Sequence, residues 1–176
     1  MSTARLIIDK HSGPMNMAVD EALLLSAPRS GPTLRFYQWQ EPTLSLGYFQ
    51  IAAERSQHKA SANCPIVRRS TGGGAILHDQ ELTYSFVLPV NSQDKAVAQP
   101  LYYAFHETLV LAFEQFGIQS NLFPDEPLAQ IGEREPFLCF QRRAVGDVIL
   151  GGEKICGSAQ RRQKEALLQH GSVLFQ

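Results

Sequence analysis

The residues best suited to chemistry in this 176-residue chain gather around two glycine-bearing runs. The first is Arg68-Arg69-Ser70-Thr71-Gly72-Gly73-Gly74-Ala75-Ile76-Leu77-His78-Asp79. Three consecutive glycines remove every Cβ from a turn, so the backbone can adopt positive φ and approach a bound group closely. A tight turn with no ligand would explain the glycines alone. Two arginines before them and His78 after them add groups that could hold a ligand. Arg68 and Arg69 are neighbours on an expected strand, so their side chains point to opposite faces and only one can serve the site. The second run is Gly151-Gly152-Glu153-Lys154-Ile155-Cys156-Gly157-Ser158-Ala159-Gln160. Lys154 either carries its ammonium out to water along its stem or donates to a carbonyl oxygen on which negative charge grows. Gly157, Ser158 and Ala159 are small, as expected where a ligand passes close to a strand. Neither GxGxxG nor a GxxxxGKS/T run is present, so the familiar phosphate cradles are absent.

The chain has three cysteines, Cys64, Cys139 and Cys156, with no CxxC and no Cys/His ligand spacing. That argues against a disulfide scaffold and a structural zinc site, and it fits a reducing compartment. Free cysteines are commonly inert and buried. Cys139 has the strongest claim to function, because it ends an irregular stretch, 123–138, where a side chain can reach a cleft. Cys156 is expected on the face opposite Lys154, and Cys64 has no notable company. Among the histidines, His78 and His170 each adjoin a glycine-bearing motif and are candidate bases, whereas His106 lies within a helical stretch and reads as structural.

Periodicity supplies the elements that would position these residues. Ser12-Gly13-Pro14 opens a helix closed by Pro28, with Met15, Ala18, Ala22 and Leu25 as its apolar face. Residues 34–39 and 43–48 read as a strand pair about Glu41-Pro42. Strands at 65–69 and 75–77 enter and leave the triple glycine, and 83–88 is another, stopped by Pro89. A second helix starts near Pro100, with Leu101, Phe105, Thr108, Ala112 and Phe116 on one face and Gly117 at its end. Residues 118–122 form a strand. Residues 123–138, with Pro124, Pro127, Gly132 and Pro136, show no period. Gly151-Gly152 turns a hairpin between 145–150 and 154–159, and 167–175 is the last strand. Many strands, two substantial helices and no regular βαβ alternation indicate an α+β domain with a mixed, mainly antiparallel sheet.

Composition sets broad limits. A hydrophobic fraction of 44% and a charged fraction of 19% are ordinary for a globular protein. The length suits one domain. Net charge is −1, which does not suggest bulk nucleic-acid binding. Residues 141–176 nevertheless carry a local +3 against −4 for the remainder, making the C-terminal part the side for an acidic partner unless it is simply a solvated basic face. No signal peptide or transmembrane run stands out, and the expected location is cytoplasmic.

Taken together, the motifs resemble a known family. Arg68–Asp79 is similar to the RRxTGGGxxxHD signature of the lipoate–protein ligase and octanoyltransferase catalytic domain. Lys154–Gln160 resembles its KxxGSAQ segment, followed by the family's HG in a late strand, His170-Gly171. Asn16–Ala22 and Pro42–Tyr48 match upstream, so the resemblance runs over about residues 15–175. It implies one biotin/lipoate protein ligase-type catalytic domain over 1–176, a mixed sheet flanked by helices and related to class II aminoacyl-tRNA synthetases. The GRGRxxR signature of biotin ligases is absent. Within the family, Leu138-Cys139-Phe140 resembles the cysteine of the cysteine-dependent octanoyltransferases, and the C-terminal helical stretch expected of these transferases is missing from the chain.

The resemblance thus implies an octanoyl-[acyl-carrier-protein]–protein N-octanoyltransferase with Cys139 as nucleophile and Lys154 as its cationic partner. Arg69, Gly72, Gly73, Gly74, His78, Gly157, Ser158, Ala159 and His170 would bind substrate. Octanoyl acyl carrier protein would be the donor, a lipoyl domain or glycine-cleavage H protein the acceptor, and no cofactor would be needed. Arg142, Arg143, Arg161 and Arg162 are candidates for docking the acidic carrier. The alternatives are an octanoyl amidotransferase drawing on H protein, an ATP- and magnesium-dependent lipoate ligase, and an inactive acyl- or carrier-binding module. No membrane or nucleic-acid partner is expected.

Overall fold

The computed structural model describes residues 3–94, 96–125 and 136–175. Ten strands and two α-helices follow in the order β1 (Arg5–His11), α1 (Gly13–Ser30), β2 (Thr33–Trp39), β3 (Thr43–Leu46), β4 (Ile66–Arg68), β5 (Ile76–His78), β6 (Leu82–Pro89), α2 (Ala98–Gln115), β7 (Asn121–Leu122), β8 (Val148–Leu150), β9 (Glu153–Gln163) and β10 (Ala166–Val173). Seven strands form one sheet in the order β1-β2-β6-β10-β9-β8-β7, and β4-β3-β5 form a second. Among the named strands of the described residues, β1–β2 and β3–β4 pair in parallel and the other pairs are antiparallel. The mixed, mainly antiparallel α+β reading therefore holds. Among the described residues, no helix is long and apolar enough to cross a membrane.

Three expectations about elements need correction. Residues 34–39 and 43–48 are not a strand pair: β2 lies between β1 and β6 of the large sheet, whereas β3 is the centre of the small one. β1 was not expected at all; its exposed Leu6 and Ile8 belong to an edge strand whose outer face is not packed. Pro28 does not close α1 but sits inside its last turn, where it forfeits a single bond to the preceding turn. Closure falls to Gly31, at φ 76°, whose N–H bonds back to the Ala27 carbonyl.

The helix faces also differ from the apolar periodicity. Met15 and Leu25 are exposed, and α1 buries Asn16, Asp20, Leu23, Leu24 and Ala27 instead. Its C-terminal half packs Leu23, Leu24 and Ala27 on Val87 of β6 and Leu168 of β10. Its N-terminal half meets the buried Arg35 of β2, whose Nη1 donates to Asp20 Oδ1 at 2.9 Å and Nη2 to Asn16 Oδ1 at 2.7 Å. A buried polar pair on a helix is invisible to a hydrophobic period. Thr108 of α2 and Phe116 just past its end are exposed, while Phe105, Leu109, Val110 and Phe113 cover the cluster of Tyr84, Val148, Ile155, Cys156 and Val173. Gly117, at φ 74°, ends the helix as expected.

The Gly151-Gly152 hairpin forms with φ 58° and 86°, the all-positive geometry of a two-residue turn. It is asymmetric, however. Val148 pairs with Cys156 and Ile149 with Lys154, so β9 carries a bulge between them. Of the irregular stretch 123–138, Pro127 and Gly132 lie outside the described residues, while 136–138 runs beside the exit of the glycine run.

Candidate active site

The glycine run is built around Arg69. Its side chain is 5% exposed, and Nη1 donates to the Ser45 carbonyl at 2.9 Å and to Ser45 Oγ at 2.6 Å. Nη2 donates to the carbonyls of Gly74 at 2.7 Å and Gly72 at 3.3 Å. Burial lowers the guanidinium pKa to about 10, so it remains a cation at neutral pH. Arg68 points the other way and binds the carbonyls of Gly47, Tyr48 and Gln50 from the surface. One arginine thus lies inside and one outside, as strand alternation requires.

Two glycines of the run are needed for packing. Gly73 stands at φ 91°, a region that favours glycine. A Cβ on Gly74 would lie 2.8 Å from the Cys139 nitrogen and 2.9 Å from its Cα. The missing side chain lets a short 3₁₀ turn, Cys139–Gln141, come against the run. Its N–H donates to the Ala75 carbonyl at 2.8 Å, and Ala75 N–H to the Phe137 carbonyl at 2.9 Å. Cys139 is therefore held by backbone bonds at the exit of the run.

Lys154 reaches the same place from β9. Its ammonium lies 2.8 Å from Asp147 Oδ2 and 3.8 Å from Cys139 Sγ, and only 6% of the residue is exposed. It does not snorkel to water. Gly157 makes the room: a Cβ there would stand 2.4 Å from Lys154 Cε. Asp147, absent from the sequence-based site, is fixed in turn by Tyr102 Oη at 3.0 Å and by the Ala144 N–H at 2.7 Å. The only signal for it was Gly146-Asp147 just ahead of the hairpin, and nothing in the spacing ties that carboxylate to Lys154. Behind it, His106 Nδ1–H donates to the Gly146 carbonyl at 2.6 Å, and its Nε2 accepts from Ser158 Oγ.

The other cysteines are elsewhere. Cys156 is fully buried in the apolar cluster under α2, and burial pushes its thiol well above the ordinary cysteine range, with Asp147 adding to the shift. The expectation that it parts from Lys154 holds, but not for the reason given. Residues two apart on a regular strand share a face; the β9 bulge separates them. Cys64 follows the 3₁₀ turn Lys59–Ser61 and does not line the cavity described next.

Between the run and the large sheet lies a cleft of about 410 Å³, part of it open to solvent. Arg69, Gly72, Gly73 and His78 line one side, and Gly157, Ser158, Ala159 and His170 the other, with Cys139 at the wall. Gly74 and Lys154 stand just behind that wall. The apolar lining comes from Met17, Tyr37, Trp39 and Ile76, none of which the sequence marked as site residues. Trp39 stacks on His78 at 3.9 Å between ring centroids. His78 is locked between Ser45 Oγ, at 2.7 Å, and the Glu81 carboxylate. His170 joins three elements: Nδ1 faces Asp20 Oδ2 of α1 at 3.1 Å, and Nε2 faces Thr71 Oγ1 of the run at 2.6 Å. Burial alone would raise the Asp20 carboxyl. Its hydrogen bond and charge interaction with His170, the Arg35 charge and the Ser85 hydroxyl outweigh that and hold it below the ordinary range. The arrangement can accept a flexible apolar chain with a polar head beside a thiol, an ammonium and a glycine-lined backbone.

This geometry coincides with a known family. The lipoyl protein ligase A/B catalytic-domain model matches residues 12–176. The chain belongs to that family. Octanoyltransferase LipM of Kyrpidia tusciae is 39% identical, covering 99% of this chain and 67% of its own length. The enzyme of the same name from Oceanobacillus iheyensis is 40% identical over 90% of this chain and 59% of its own length. The chain thus spans about three-fifths to two-thirds of these relatives. Among solved structures, lipoate-protein ligase A bound with ATP superposes with a TM-score of 0.76 at 27% identity, over 98% of this chain and 67% of that one. The bipartite lipoate protein ligase of Thermoplasma acidophilum, studied with its E2 lipoyl domain, gives 0.71 at 28% identity, over 99% and 62%. The family's fold is therefore the fold of this chain.

Proposed function

We propose that the protein transfers an octanoyl group to the target lysine of a lipoyl domain through a thioester on Cys139. The observation that carries this reading is the 3.8 Å contact between Lys154 Nζ and Cys139 Sγ at the wall of a glycine-lined cavity. The similarity to proteins named octanoyltransferase supports the acyl group, and the family's link to lipoyl domains supports the acceptor.

The thiolate is the nucleophilic form of cysteine, and the ammonium of Lys154 stands 3.8 Å from the Cys139 sulfur. Cys139 sulfur attacks the octanoyl thioester carbonyl of acyl carrier protein. The carrier's carbon–sulfur bond breaks, and the carrier thiol leaves with the proton that Cys139 gave up. One thioester replaces another, so the step is nearly balanced and needs neither nucleotide nor metal. The ammonium of Lys154 serves equally as a donor to the carbonyl oxygen when charge collects there, and its aim costs no reorganisation because Asp147 and Gly157 already set it. In the second half, the acceptor lysine attacks as its neutral amine. An amide forms, and Cys139 recovers its proton as the thiol. The apolar walls from Met17, Trp39 and Ile76 favour the alkyl chain by about 0.8 kcal/mol per buried methylene, enough to sort chain lengths.

The test is a reconstituted reaction with octanoyl acyl carrier protein and a lipoyl domain, without ATP. Octanoylation of the acceptor lysine, lost in Cys139→Ala, is expected. Modification that depends on ATP and free lipoate, with pyrophosphate release, would assign the chain to the ligases instead. Octanoyl H protein as the sole competent donor would make it the amidotransferase.

A further inference from the structure

The rim of the cavity carries an exposed feature that the transfer chemistry leaves unused. Tyr48 is 52% and Phe49 86% exposed, and their rings meet edge to face at 5.0 Å. The segment bearing them is a rigid turn. Tyr48 N–H donates to the Thr71 carbonyl at 2.8 Å, and Gly47 N–H to Gln50 Oε1 at 3.0 Å. Gln50 Nε2 donates to the Phe137 carbonyl at 3.0 Å, two residues before Cys139. Arg68 closes the turn from outside through three carbonyls. These six hydrogen bonds hold two aromatic rings in water. A groove runs from this ridge to Gly72 and is bounded beyond by Arg161 and Arg162, with no carboxylate in its lining. Arg161 leans over the Tyr48 ring at 5.9 Å and donates to the Ser70 carbonyl at 3.0 Å.

We propose that this rim, with Phe49 as its anchor and Arg161 and Arg162 as its charged wall, docks the acceptor: an acidic domain that presents its target lysine at a protruding tip. The proposal rests on the transferase reading. Reach decides between the two macromolecular substrates. A carrier delivers its acyl group on a long flexible arm, so its body can sit away from the thioester. A lysine extends only its four-methylene stem. The domain that bears it must therefore touch the surface next to the glycine run, and that surface is this rim. Prefixed aromatic rings lose little entropy on binding, and such anchors dominate interface energetics. The cationic wall steers an acidic partner and makes binding salt-dependent. Arg161 and Arg162 thereby pass from donor to acceptor docking, while Arg143 bonds to the carbonyls of Phe140 and Gly152 and Arg142, bonded to the Pro136 carbonyl, borders a second groove that Phe49 also lines.

The test measures binding of an unmodified lipoyl domain to the full chain carrying Cys139→Ala, so that no turnover intervenes. Adding Phe49→Ala should weaken binding about tenfold or more; Phe49 is so exposed that its removal leaves the fold intact. Arg162→Glu should weaken it similarly, and raised salt should weaken the parent more than Arg162→Glu. In parallel, octanoyl loading from acyl carrier protein is followed in the Cys139-containing chain with and without Phe49→Ala, and should be unchanged. Equal binding by all variants overturns the proposal, as does a Phe49→Ala defect confined to loading, which would make the rim the donor's. Absence of loading in every chain, with Phe49-dependent binding intact, would instead sink the transferase reading and leave the docking surface standing.

Discussion

Lys154 and Asp147 form a nearly buried ion pair, 2.8 Å apart with side chains 4% and 1% exposed. Desolvating two charges offsets most of what their attraction supplies, so the pair is better understood as a positioning device than as a source of stability. Asp147→Asn leaves the ammonium buried without its counter-charge. Destabilisation of about 3 kcal/mol is expected in urea unfolding, together with slower octanoyl loading of Cys139. Gly157→Ala separates the two effects. The added Cβ would lie within 2.6 Å of Lys154 Nζ, the free end of a flexible side chain, so the fold can yield by moving that end. The expected outcome is a melting temperature within a few degrees of the parent and acyl-enzyme formation slowed by about 10²-fold or more. Equal loading rates in Gly157→Ala and the parent would show that the aim of Lys154 is immaterial.

At the level of elements, α1 does more than cover the sheet. Asp20 holds Arg35 of β2, Ser85 of β6 and His170 of β10, and His170 in turn meets Thr71 of the glycine run. Asp20→Ala should therefore cost about 3 kcal/mol, because it removes buried partners of Arg35, Ser85 and His170 together and leaves the buried guanidinium with Asp9 as its remaining counter-charge; chemical denaturation checks it. This hub also marks where sequence reading stops. The triple glycine, the hairpin and the inside-outside split of Arg68 and Arg69 were legible, since each is a local pattern of turn chemistry or alternation. The buried faces of α1 and α2 were not, because α1 buries Asn16 and Asp20 where a hydrophobic period looks for leucine. Strand neighbours were not legible either: β2 and β3 are separated by three residues in sequence yet join different sheets, and short turns do not encode that choice. Asp147 escaped notice because an ion pair across a bulged hairpin has no fixed spacing.

For the molecule as a whole, buried titratable groups tie stability to pH. Burial lowers the His106 pKa, aided by the Lys154 charge and opposed by the Gly146 carbonyl and Asp147. Below about pH 6.5 the unfolded chain gains a proton on this residue that the folded chain does not. Stability is therefore complete above that pH and declines as pH falls. Asp20, held below its ordinary range in the fold, adds a second loss once pH drops below about 4. Thermal unfolding should thus show a falling midpoint between pH 7.5 and 5.5, with a shallower slope in His106→Gln. A midpoint that rises on acidification over that interval would contradict the assignment of a neutral, buried imidazole.

The central claim is that the thiol of Cys139 carries the acyl group. Intact-mass measurement after mixing the protein with octanoyl acyl carrier protein tests it most directly. The account predicts one octanoyl adduct, removed by hydroxylamine, absent in Cys139→Ala and retained in Cys64→Ala. An adduct that persists in Cys139→Ala, or none in the unaltered chain, would contradict it.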